Sequence, residues 1–88
     1  MNALDNLSGA AKIAHQAFID MSDSKKNHFD YLQALETKYE SGGAPSIVEN
    51  MELEKLLSIH DKNVAAFTTA MAAVTKEEEK KILITLIS

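Results

Sequence analysis

Apolar and small residues recur in alternating steps of three and four along nearly the whole chain, and one segment, Gly42-Gly43-Ala44-Pro45-Ser46, interrupts the rhythm. Before it the stripe runs Leu4, Leu7, Ala11, Ala14, Phe18 and Met21. It then passes through Lys25 and His28 before resuming at Leu32, Leu35 and Tyr39. After it the stripe runs Leu53, Leu57, His60, Val64, Phe67, Met71 and Val74, widened by Leu56. Such spacing marks one face of a helix. The pattern predicts an all-α fold, an antiparallel helical hairpin turning about Gly42–Ser46.

Punctuation refines the elements. Ser22-Asp23-Ser24 coincides with the polar interruption, and these residue types compete for backbone hydrogen bonds, so a kink or helix end is expected at 22–24. Ser46-Ile47-Val48-Glu49 fits a capping box at the start of the second arm, and Pro45 keeps the chain from entering that helix earlier. Thr75-Lys76-Glu77-Glu78 reads as a second box, with three glutamates suited to the positive end of a new helix dipole. With breaks near 22–24 and 75, the hairpin becomes a small three- or four-helix bundle, one helical domain over residues 1–88. Gly42 and Gly43 supply the left-handed residues of a helix end and turn.

Folding the chain about Gly43 gives a register in which facing residues have numbers summing to about 86. Leu35 then lies beside Met51, Leu32 near Leu53, Phe29 near Leu57, and the alanine-rich stretch 10–17 opposite 70–73. Small residues facing small residues allow close helix approach. Lys25 and His28 meet His60 and Asp61, which predicts one shared polar layer. If His28 and His60 approach each other there, protonation near the reference imidazole pKa of ~6.5 is expected to loosen the fold or assembly at about pH 5 to 6. A two-helix hairpin of ~58 Å buries only one stripe per helix, so something must cover it.

The last segment is apolar on more than one face: Ile82, Leu83, Ile84, Leu86 and Ile87. It either folds back into the core or stays exposed as a docking surface, with Ile82, Leu83, Leu86 and Ile87 as anchors and the charges of residues 77–81 setting orientation. Methionines 21, 51 and 71 fall on the stripes and serve as pliable core filling.

Composition removes alternatives. The 88 residues carry no cysteine, which excludes disulfides and thiolate metal sites. The net charge is −4 and every basic residue is lysine, so the bidentate guanidinium contacts that read guanine or clamp phosphates are unavailable and no nucleic-acid partner is expected. The start, Met1-Asn2-Ala3-Leu4-Asp5, has no signal-peptide pattern, and the longest apolar run, 82–87, is far short of the ~20 residues that cross a bilayer. A cytoplasmic protein without membrane insertion is expected.

Candidate chemistry is sparse. His15, His28 and His60 have neither the His-x-x-x-His spacing of zinc helices nor the Glu-x-x-His spacing of di-iron bundles, so no metal is expected. The carboxylate clusters Glu49, Glu52, Glu54 and Glu77–Glu79 lack an apolar cleft, no serine sits in a nucleophile elbow, and Gly42-Gly43 is no phosphate loop. No cofactor and no enzymatic activity follow from these residues. The expectation is a helical protein–protein interaction module: an adaptor, chaperone or inhibitor presenting an apolar helix face. The alternative is a self-assembling hairpin, a homo-oligomer or filament. In size, acidity, lack of cysteine and helix–turn–helix layout the chain resembles needle subunits of bacterial secretion machines and the small helical chaperones that hold them. Its Gly42–Ser46 turn departs from the proline- and asparagine-rich turn of the needles.

Overall fold

The computed structural model describes residues 7–87; Leu4, the first position of the expected stripe, lies outside them. Three helices follow in order, α1 (Gly9–Lys38), α2 (Ile47–Ala72) and α3 (Glu77–Ile87), and no strand occurs among the described residues. α1 and α2 form the hairpin about Gly42–Ser46, and α3 lies against α1. The cross-helix pairs Phe18–Phe67, Ser24–His60 and Tyr39–Glu49 keep close to the expected register. The molecule extends 52 × 21 × 16 Å. Its radius of gyration of 17.2 Å exceeds the ~12 Å of a compact chain of this length.

The helix ends follow the local chemistry. Ser8 opens α1, its hydroxyl accepting from the Ala11 N–H at 3.3 Å. The capping box of α2 forms as expected: Ser46 Oγ accepts from Glu49 N–H at 3.1 Å, and Glu49 accepts from Ser46 N–H at 3.0 Å. Gly42 and Gly43 take φ values of +123° and +88°, which side chains with a Cβ rarely adopt. The Tyr39 ring packs over Gly43, where a Cβ would sit 3.4 Å from it. The chain breaks again between Ala72 and Glu77, as the region around residue 75 predicted. The cap differs from the Thr75 box, because α3 begins at Glu77 and the Lys76 carbonyl accepts its first bond, from Lys80 N–H at 3.0 Å.

Residues 22–24 do not end a helix; α1 continues through them. Ser24 directs its hydroxyl back to the Met21 carbonyl at 2.9 Å, so its side chain satisfies the helix instead of opening it. Among the described residues the bundle therefore has three helices.

The core is confined to the open end of the hairpin. Leu7, Ala11, Ala14, Ala17, Ala70, Val74 and Leu83 form one buried cluster, with Phe67, Met71, Ile82 and Ile87 packed against it. Alanine meets alanine across the helices as the register implied, which lets α1 and α2 come close while Leu83 and Val74 fill the remaining volume. Toward the turn, Leu35 is the one buried apolar side chain among the described residues.

The interhelical stripe differs from the expected one in its middle. On α2 the inward positions are Leu56, His60, Asn63, Phe67 and Ala70, continued by Val74 just beyond the helix end, while Leu57 and Val64 stand 44% and 38% exposed. On α1, Ser24 and not Lys25 faces inward. A small hydroxyl that bonds its own helix is cheaply buried; an ammonium there would have to be desolvated. Met51, expected beside Leu35, is exposed.

Candidate functional site

Four local arrangements could carry function. The first is the polar layer at mid-hairpin. Lys25, His28, His60 and Asp61 were expected to form it, but the layer centres on Ser24 and His60. Ser24 Oγ lies 3.0 Å from His60 Nδ1, and Asn63 Nδ2 donates to the Asp20 carbonyl at 3.1 Å. The Ser24 hydroxyl has one proton; with it on the Met21 carbonyl, the imidazole donates from Nδ1 to Oγ. Lys25 and Asp61 are exposed and His28 half-buried. The layer fixes the register of α1 against α2. Among the described residues no three histidine or carboxylate side chains gather as a metal ion would require.

The second arrangement joins α3 to α1. Glu79, only 7% exposed, accepts from both the backbone N–H and the hydroxyl of Ser8, the latter at 2.9 Å. A carboxylate thus closes the amide-rich start of α1, where the helix dipole favours negative charge. The Ser8 backbone N–H, then the Ser8 hydroxyl and the Lys76 charge, hold the Glu79 carboxyl below its usual range against the opposing effect of burial. Leu83, one turn on, is fully buried. Of the four side chains considered as partner anchors, Leu83 belongs to the core, Ile82 and Ile87 are half-buried against it, and Leu86 is exposed. Ile82 and Leu86 line a surface groove with Lys81 and Thr85. The α3 helix is therefore first a cover for the hairpin, because its buried face is what closes the alanine seam.

The third is the turn end. Glu49 receives the Ser46 backbone N–H, the Tyr39 hydroxyl and the Lys38 ammonium, the last at 2.9 Å. These donors, the Ser46 amide foremost, pull its carboxyl down to about 2. The same contact raises the Lys38 and Tyr39 pKa values. Lys38 also lies 5.4 Å from the Tyr39 ring centroid. This network locks the two helix ends at the turn.

Beside the locked turn, an open groove of about 340 Å3 runs between the arms, lined by Leu32, Leu35, Glu36, Tyr39, Pro45 and Leu53. Leu32 and Leu53 thus share one broad face of the hairpin. Phe29, one turn before Leu32, is 58% exposed, and Leu57, one turn after Leu53, extends the face on the other arm. Along α1 this face is the three-four stripe Ser8, Ala11, His15, Phe18, Ser22, Lys25, Phe29, Leu32 and Glu36. Its first member bonds α3 through Glu79. An 11-residue helix spans ~16 Å, so α3 covers the open end and leaves the Phe29–Leu32–Leu53–Leu57 end bare. The sequence held the signal for this surface in Phe29 and Leu57, which face each other in the hairpin register; periodicity alone assigned Leu57 to the interior.

No known protein family, curated protein or solved structure matches this chain. Among the described residues, no helix is long and apolar enough to cross a membrane.

Proposed function

We propose that this chain is a non-catalytic helical interaction module, an adaptor, chaperone or inhibitor working in the cytoplasm, that presents an apolar hairpin face to a partner protein. One observation carries the reading: the core fills only the open end, and α3 stops short of the apolar face formed by Phe29, Leu32, Leu53 and Leu57. An apolar surface flanked by charged residues is the usual form of a protein-binding patch. Helix-on-helix docking suits it, since two parallel ridges with a groove between them accept a third and fourth helix.

The test pairs two double variants. Phe29→Asp with Leu57→Asp alters only exposed side chains, so helical circular dichroism and the melting temperature should stay near those of the wild type, while a partner identified by mass spectrometry from the native host is lost. Ile84→Asp with Ile13→Asp, also exposed but off this face, should retain that partner. Equal capture by both variants would show that the face is not the binding surface.

A further inference from the structure

We infer that the bare face is a self-complementary surface whose occupant is a second copy of this chain, docked antiparallel so that a four-helix layer forms between two outlying α3 helices. The inference rests on the reading of that face as an interaction surface and names its partner.

The charges point to a second copy. Lys25 and Glu36 lie on the same stripe as Phe29 and Leu32, and among the described residues neither has an ion-pair partner in its own chain. They are placed symmetrically about the two apolar residues. A two-fold axis crossing α1 between residues 30 and 31 sets Phe29 against Leu32 of the second copy and Lys25 against Glu36 of the second copy, each pair occurring twice. The same rotation sets α2 against α2 of the second copy. In the register given by Ser24–His60 and Tyr39–Glu49, the axis crosses α2 near residue 55, which sets Leu53 against Leu57 of the second copy. One axis therefore pairs apolar with apolar on both helices and opposite charges on α1.

The position of α3 selects the antiparallel arrangement. In a parallel dimer the two α3 helices, both standing proud of this face at the open end, would collide. In the antiparallel one the second copy's α1 ends opposite residue 23, clear of the buried Ala11, Ala14 and Ala17 that lie in the α3-covered core. Both α3 helices stay docked, and each acts as a stop that fixes the overlap. That overlap is ~22 Å of a hairpin about 20 Å wide, on the order of 900 Å2 in total for both copies, which falls below the ~1,200–2,000 Å2 of stable specific interfaces and in the range of weak, reversible ones.

Sedimentation equilibrium over roughly 1 µM to 1 mM, with helical circular dichroism as the fold control, decides the matter. The wild type should dimerise. Lys25→Glu and Glu36→Lys should each weaken the dimer about tenfold or more, and the double variant K25E/E36K, which restores opposite charges across the axis, should recover most of the loss. Phe29→Asp should abolish the dimer while the monomer keeps its melting temperature. A chain that stays monomeric to 1 mM overturns the inference and leaves the face for a different protein. A dimer indifferent to both charge reversals, or one whose double variant is weaker than either single, overturns the antiparallel pairing. If Phe29→Asp with Leu57→Asp leaves both self-association and partner capture intact, the functional reading of the face falls together with it.

Discussion

Ser8 and Glu79, 71 residues apart in sequence, are joined by two hydrogen bonds in which the amide and the hydroxyl of Ser8 both donate to the Glu79 carboxylate. The contact ties the first turn of α3 to the first turn of α1 and places a negative charge at the positive end of a 30-residue helix. Because the folded carboxyl is held below its ordinary range, its contribution to stability is present above the unfolded carboxylate pKa and is lost as pH falls through the folded value. Acid titration from pH 6 downward should therefore release α3, read as a loss of protection of the α3 amides to hydrogen exchange. Glu79→Gln should lower the melting temperature at pH 7 and flatten its dependence on pH below 5, whereas the exposed neighbour Glu78→Gln should do neither.

The α3 helix should unfold from the hairpin when Leu83 is truncated. Leu83 is fully buried in the cluster with Ala11, Ala14 and Val74, so Leu83→Ala removes a side chain from a closed site and is expected to cost about 2–5 kcal/mol. Leu86→Ala, on the open side of the same helix, should cost under about 0.5 kcal/mol. Urea denaturation of the two variants measures the difference. Similar costs would mean that α3 is not held through Leu83.

At the turn, Ser46→Ala should cost about 0.5–2 kcal/mol, the usual range for a lost N-cap, since it removes the acceptor for Glu49 N–H. Ser46→Asp should restore most of that loss. The Glu49 carboxyl is held down to about 2, so the turn network should keep its contribution until the pH falls toward that value. The sign is the same for both groups: each depressed carboxyl loses its contribution as pH falls. Amide exchange at Ser46 and Glu49, followed across the same titration as the α3 amides, reports which end opens first.

The hairpin, its turn, the capping box at Ser46 and the break near 75 were legible because each depends on local chemistry or on a stripe that both arms share. The alanine register was legible in part for the same reason: Ala11, Ala14 and Ala17 of α1 share the buried cluster with Ala70 of α2, while Ala72 and Ala73 are exposed. The middle of the hairpin was not. Leu56 and Leu57 are adjacent and equally apolar, and so are Ser24 and Lys25 as polar residues; which of each pair turns inward depends on the rotation of two helices against each other, fixed by the Ser24–His60 and Asp20–Asn63 contacts. The apolar face was hidden by the same ambiguity, since a stripe that widens to a second row of leucines reads as more core until packing shows that only one row has a partner. Burial of Leu83 was open for an equivalent reason: a helix apolar on several faces does not say which of them it covers.

The Ser24–His60 contact should behave as a coupled pair. Ser24→Ala removes one partner at a 5% exposed position and leaves His60 Nδ1 facing an apolar methyl, which should cost about 1–2 kcal/mol by the usual penalty for an orphaned polar group. His60→Leu alone leaves Ser24 with its bond to the Met21 carbonyl, so its cost should be smaller, offset in part by added apolar burial. The double variant Ser24→Ala with His60→Leu replaces both partners by apolar groups and should be more stable than Ser24→Ala alone. A double-mutant cycle by urea denaturation at pH 7.5 should then give a coupling of about 0.5–1.5 kcal/mol. Strict additivity would mean that the two side chains merely lie side by side, and that the rotation of α1 against α2 is set by the alanine seam and the Tyr39–Glu49 lock alone.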